Sequence, residues 1–243
     1  MVASAGIALG QLKAGLSIPA LFLATGLMNA VVAVYIYSLV PEFLMRFLAW
    51  LLIHSIYRVD KQGLDQVPEE GPCASVCNHV SFVDAIVIAA CVRRPVRFVM
   101  DHRIYALPLL NFIFRTMRAI PIASAKEDAQ LKERAFAEAA AALRAGEIVC
   151  IFPEGRITDT GDLNPFRPGL QRILEQMPVP VVPMALRGLW GSFFSRSYQG
   201  QAMRRIRGLF SKIALVAGPA VAPERATPET LQQTVLALRG DWR

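Results

Sequence analysis

A chain of 243 residues has room for one α/β domain of ordinary size and a short accessory segment. Its hydrophobic share of 54% and mean hydropathy of +0.39 exceed those of most soluble domains, so a membrane segment is the first feature to look for. The net charge of +7 suits an anionic partner, and the apolar excess favours lipid over nucleic acid, for which no recognition motif is present. The four cysteines, Cys73, Cys77, Cys91 and Cys150, lie in apolar surroundings without the spacing of a zinc site. They read as reduced core residues of a cytosolic domain, with no metal expected.

In chain order, residues 15–40 carry no charge. As a helix they reach roughly 39 Å, more than the ~30 Å hydrocarbon core of a bilayer, and Tyr35 and Tyr37 suit its interface. A buried core helix is the alternative. No small-residue cleavage site closes the run, which argues against a signal peptide. Residues 1–40 are therefore expected to form a membrane segment. Pro41 ends it, and residues 41–59 are expected to lie at the membrane surface as a helix carrying Trp50, Tyr57, Arg46 and Arg58.

From residue 60 onward short apolar runs alternate with helical stretches, punctuated by Gly and Pro. The expected strands are 73–77, 96–100, 119–123, 148–152, 179–186 and 213–217. The expected helices are 82–92, 126–145, 168–176 and 228–238. The second of these is rich in Ala, Glu and Lys and has Gly146 where a C-terminal cap belongs. This alternation predicts an α/β fold over residues 60–243, with a mixed central sheet flanked by helices.

Two loops carry the chemistry. In Cys77-Asn78-His79-Val80-Ser81-Phe82-Val83-Asp84 a strand ends and a helix is expected to begin near Phe82, with Ser81 as N-cap and Asp84 completing a capping-box-like pattern. A carboxylate one turn into the helix can hold one nitrogen of His79 and leave the other free as a base. The plainer alternative is that Asp84 only caps the helix. In Phe152-Pro153-Glu154-Gly155-Arg156 a glycine loop follows a strand end, where α/β folds place ligand-binding groups. Arg156 can bind a phosphate bidentately, and Glu154 can accept a bond from a hydroxyl or hold Arg156. Alone, this second motif is also compatible with an ordinary solvated turn.

Together the two motifs resemble the glycerophospholipid acyltransferases, the lysophosphatidic acid acyltransferase group. Arg118-Ala119-Ile120-Pro121-Ile122 and Val181-Val182-Pro183-Met184 are weaker matches in the same order, and the likeness runs from about residue 60 to 190. The resemblance implies an O-acyltransferase in which His79 is the base and Asp84 orients it. Asn78, Glu154, Gly155 and Arg156 would then contribute to substrate binding. It implies a membrane lysophospholipid as acceptor, such as 1-acyl-glycerol-3-phosphate or a 2-acylglycerophosphoethanolamine. The donor would be acyl-CoA or acyl carrier protein, with no separate cofactor. Two departures stand out. Arg156 follows Gly155 directly where the family often has Thr then Arg. The middle block starts with Arg118 and ends at Ser124, where the family usually has Gly and Arg; Lys126 or Arg118 would have to substitute. These departures look more like the acyltransferase part of fused lysophospholipid transporter–acyltransferases, with residues 1–40 resembling a last transporter helix, so association with a transporter is expected. The domain is expected on the cytoplasmic side of an inner or plasma membrane, where both donors are found.

Cys77, on its strand, reads as a packing residue and not a nucleophile. The aromatic and basic residues from Leu186 to Arg196, with Arg204, Arg205 and Arg207, suit a membrane interface or an acidic carrier. A lipid esterase using the same His–Asp pair and a non-catalytic membrane module are the competing functions. The first would ordinarily show a G-x-S-x-G elbow, which is absent. The second leaves the intact His79, Asp84, Glu154 and Arg156 set without a purpose.

Overall fold

The computed structural model describes residues 17–39, 41–197 and 210–242. Two units are present, divided after Leu44. The first contains α1 (Ile18–Leu39), which is uncharged throughout, has no buried residue, and is long and apolar enough to cross a membrane. Helix α2 (Pro41–Ile56) runs across the division.

The second unit is built on seven strands: β1 (Arg58–Gln62), β2 (Cys73–Cys77), β3 (Val96–Asp101), β4 (Ile120–Ile122), β5 (Ile148–Ile151), β6 (Val181–Arg187) and β7 (Lys212–Ala217). They form one sheet in the order β1-β7-β6-β2-β5-β3-β4. Every neighbouring pair is parallel except β6 and β7, so the expected mixed sheet is present. The central strands are apolar on both faces because both are covered. Cys73 and Cys77 point into one hydrophobic cluster, while Ala74 and Val76 of the same strand point into the other.

The first cluster takes in Ile53 of α2 and Val87, Ile88 and Cys91 of α3 (Asp84–Cys91). The second takes in α6 (Ala129–Arg144), α7 (Gly169–Leu174) and α8 (Pro228–Arg239). Helix α6 begins at Ala129, later than expected, because the Asp128 carboxylate accepts from Leu131 N and caps it there. Gly146 follows it at φ +80°, as its sequence position suggests.

Three elements escape the sequence pattern. β1 is a short, largely polar edge strand beside β7. Helices α4 (His102–Tyr105) and α5 (Pro108–Thr116) lie between the expected strands 96–100 and 119–123, where the sequence reading assigns no helix although α5 is amphipathic and has Pro108 in its first turn. The second unit begins at Met45, and Ile53 and Tyr57 are buried in its first cluster.

One feature of this topology creates the site. β2 and β5 are adjacent and parallel. The chain leaves β2 for α3 on one face and leaves β5 for α7 on the other. Their C-terminal loops therefore meet at a point where the winding of the sheet switches sides, which is where α/β sheets form a ligand crevice.

The β1 edge depends on a glycine. Gly63 has φ +65°, and a Cβ there would sit 2.2 Å from the carbonyl oxygen of Ala217. Gly63→Ala is expected to lower the unfolding free energy by more than about 1 kcal/mol, read as a lower thermal midpoint in detergent.

Candidate active site

Asp84 is fully buried, and its carboxylate turns back over the loop that precedes it. Oδ2 accepts from Val80 N at 2.6 Å, Ser81 N at 2.9 Å and His79 Nδ1 at 2.8 Å, and Oδ1 accepts from Ser81 Oγ at 2.6 Å. Helix α3 starts at Asp84 itself, two residues later than expected, and Ser81 does not cap it in the expected register. The carboxylate makes the back-bond of a capping box to Ser81 N, whereas Ser81 Oγ accepts from Val83 N at 3.3 Å and not from the N–H three residues on, so half of the expected pattern forms.

A carboxylate accepts, so Nδ1 of His79 carries the proton and Nε2 carries the lone pair. Among the described residues no hydrogen bond reaches Nε2. The ring stacks on Phe152 at 4.3 Å between centroids, and the side chain is 22% exposed. The dyad expected from the five-residue spacing is therefore formed, with its free nitrogen at the rim of the crevice.

The β5 loop holds the backbone of the same histidine from both sides. His79 N donates to Glu154 Oε1 at 2.7 Å, and His79 O accepts from Thr158 N at 2.9 Å. The other oxygen of Glu154 accepts from Asn164 N at 2.7 Å and Asn164 Nδ2 at 2.9 Å. Burial pushes the Glu154 carboxyl above its ordinary value, against the lowering effect of the Asn164 and His79 donors. Glu154 is only 2% exposed and both its oxygens are occupied, so it neither reaches a substrate hydroxyl nor touches Arg156. All three of its hydrogen bonds are internal: it holds the backbone of His79 and, through Asn164, the guanidinium of Arg156.

Arg156 is held indirectly. Its Nε and Nη2 donate to Asn164 Oδ1 at 3.2 and 2.8 Å. The Glu154 carboxylate fixes the Asn164 amide with its carbonyl oxygen toward the guanidinium. Gly155 takes φ +66°, in the left-handed region that favours glycine, and donates its N–H to Phe152 O at 3.0 Å. Asn78 is also occupied within the fold: its Nδ2 donates to Leu186 O at 3.0 Å and its Oδ1 accepts from Leu186 N at 2.7 Å. With 1% exposure it locks β6 beside the motif and does not face the crevice.

Arg118, a possible substitute for the missing cation of the middle block, pairs instead with Glu147 at 2.6 Å. Lys126 is exposed on the turn before α6. The segment from Trp190 to Arg196 packs against both motif loops. Its Phe194 O accepts from Phe82 N at 3.2 Å, and Arg196 lies over the Phe82 ring and pairs with Asp159 at 3.4 Å. It straps the two motif loops together. Arg204, Arg205 and Arg207 lie outside the described residues. Among the described residues no group of three or more His, Cys, Asp or Glu side chains is placed to hold a metal ion. The four thiols are free and buried; burial pushes Cys150 up to about 12 and Cys77 well above its ordinary value.

Asn164 and Thr158 are the site residues that the sequence pattern does not reveal. Asn164 precedes Pro165, which signals a turn and nothing more. Only the fold brings it to Glu154, ten positions earlier.

The family model for Acyltransferase matches residues 58–187, which contain both motif loops and the crevice between them. The chain belongs to this acyltransferase family. It is 29% identical over 148 residues to the chloroplastic 1-acyl-sn-glycerol-3-phosphate acyltransferase BAT2 of Brassica napus, a match covering 60% of this chain and 42% of that protein. A chloroplastic relative from Arabidopsis thaliana with the same enzyme name is 25% identical over 60% of this chain and 41% of its own. The chain thus spans about two fifths of the length of these plant relatives. The 1-acyl-sn-glycerol-3-phosphate acyltransferase of Pseudomonas aeruginosa is 24% identical over 81% of this chain and 72% of its own. In three dimensions the chain resembles the 1-acyl-sn-glycerophosphate acyltransferase PlsC of Thermotoga maritima. The TM-score is 0.61 at 20% identity, covering 81% of this chain and 76% of that one, a likeness of fold. These matches agree with the lysophosphatidic acid acyltransferase group within the family.

Asp84→Asn provides a clean test of the dyad. An asparagine can keep its oxygen at the present Oδ2 position and donate its NH₂ to Ser81 Oγ, so the loop should fold. The negative charge that stabilises a protonated imidazole is lost. Turnover is expected to fall about 10²-fold or more while the thermal midpoint changes little.

Proposed function

We propose that this acyltransferase moves a fatty acyl group from an acyl thioester to the free hydroxyl of 1-acyl-glycerol-3-phosphate at a membrane surface. The observation that carries the proposal is the state of His79: Nδ1 is held by a buried carboxylate, and among the described residues no hydrogen bond reaches Nε2. The names of the relatives support this acceptor.

In the proposed step Nε2 takes the proton of the acceptor hydroxyl as its oxygen bonds to the thioester carbonyl carbon. Asp84 stabilises the imidazolium so formed. The tetrahedral oxyanion collapses, the carbon–sulfur bond breaks, and the imidazolium returns its proton to the departing thiolate. No acyl-enzyme forms, and Cys77, buried with a raised thiol pKa, takes no part. Acyl-CoA and acyl carrier protein are the donors that fit this chemistry. A phosphoethanolamine acceptor is a second reading, favoured by Arg156 following Gly155 without an intervening residue and by the likeness to the transporter-fused enzymes, for which a transporter would be the partner.

Arg156 binds the acceptor's phosphate. Arg156→Ala is expected to raise the acceptor KM about ten-fold or more, with little change in the donor KM, because a charge-assisted hydrogen bond is worth roughly 1.5–3 kcal/mol. A change confined to the donor KM would contradict the assignment.

The membrane arrangement is part of the same proposal. Helix α1 spans the bilayer and the second unit lies on the cytoplasmic side, where both donors are found. The exposed Phe47, Trp50, Leu51 and Leu52 of α2 suit an interfacial position. The full chain should resist carbonate extraction, and protease should reach the domain only from the cytoplasmic face of oriented vesicles.

A further inference from the structure

Arg156 is already half committed. Nε and Nη2 form one of its two bidentate edges, and both donate to Asn164 Oδ1, which leaves Nη1 and the outer hydrogen of Nη2 for a ligand. A phosphate monoester presents three terminal oxygens and about 1.5 to 2 negative charges at neutral pH. A phosphodiester presents two such oxygens and a single charge. One half-engaged guanidinium falls short of the monoester, and the other basic residue of the middle block, Arg118, is held by Glu147.

Arg167 is placed to make up the difference. Its backbone N donates to Pro153 O at 2.9 Å, which folds residues 164–167 back onto the glycine loop. Its guanidinium rests against Gly155: a Cβ on that glycine would lie 3.0 Å from Cζ and 3.0 Å from Nη1. The residue is exposed, and among the described residues no acid or carbonyl engages its side chain. Two guanidinium groups thus converge on one loop, Arg156 through Asn164 and Arg167 across the bare Cα of Gly155.

Building on the acyl transfer proposed above, we propose that Arg167 is the second guanidinium of the acceptor head-group site and selects a phosphate monoester over a phosphodiester. Arg156 takes one pair of phosphate oxygens with its free edge, and Arg167 takes the remaining oxygen and the extra charge. Gly155 is required there for its missing side chain as much as for its φ, because any Cβ would displace Arg167.

The test uses the full chain in detergent micelles with two acceptors, 1-acyl-glycerol-3-phosphate and 1-acyl-glycerophosphoethanolamine. For Arg167→Ala the KM for the monoester should rise about ten-fold or more, and the ratio of kcat/KM for monoester over diester should fall by a similar factor. Arg167→Lys should restore part of the ratio. Free glycerol 3-phosphate should compete with the monoester in the unaltered protein and compete less well in Arg167→Ala. Should the alanine variant fold poorly, Arg167→Gln keeps the stem over Gly155 without the charge and should show the same loss of ratio. An unchanged ratio in a folded variant overturns the role of Arg167 while leaving the acyl transfer standing. An unaltered protein that acylates the diester but not the monoester overturns the acceptor itself.

Discussion

The site depends on one buried carboxylate. Glu154 takes its oxygens out of water and gives them three N–H donors, one from His79 and two from Asn164. A carboxylate can only accept, so it fixes both partners in orientation: the backbone of the base on one side and the amide that holds Arg156 on the other. The cost of burial is visible in the raised carboxyl pKa, and the hydrogen bonds offset it. Removing the charge here would leave at least one buried N–H facing the wrong group. His79 and Arg156, which stand on separate loops, are thereby tied to each other through one carboxylate and the Asn164 amide.

That bridge is possible because of where the sheet switches sides. β2 and β5 are neighbours whose following helices lie on opposite faces, so their loops meet at the same end of the sheet before the chain turns to either side. Asn78 fixes the β2 end to β6, the strap through Phe194 and Arg196 crosses both loops, and Arg239 donates to Gly161 O from the end of α8. Each tie removes freedom from a loop that would otherwise be mobile, and preorganised groups of this kind carry most of the benefit in acyl transfer.

Much of this was legible in the chain itself. Strands β2, β3, β5, β6 and β7 announce themselves as apolar runs between glycine and proline signals, and α6 and α8 as long helical stretches with evident ends. β1 does not, because an edge strand with one valine among four polar residues has little hydrophobic signal to give. The His79–Asp84 pair follows from spacing, since a five-residue loop at a helix start can close on itself. The roles of Asn78 and Glu154 do not. Their motif positions suggest contact with substrate, whereas the fold surrounds both with internal backbone donors and acceptors. Asn164 is the extreme case: a turn residue by composition, it becomes the joint between Glu154 and Arg156 only when the β5 loop doubles back.

The central claim is that His79 activates the acceptor hydroxyl for direct attack on an acyl thioester. The most direct test follows thiol release and diacyl product together, using the purified chain, acyl-CoA or acyl carrier protein as donor, and 1-acyl-glycerol-3-phosphate. The account expects one thiol released for each diacyl product, and no release beyond the spontaneous rate when the acceptor is left out. A stoichiometric burst of thiol without acceptor, leaving acyl groups bound to the protein, would contradict it.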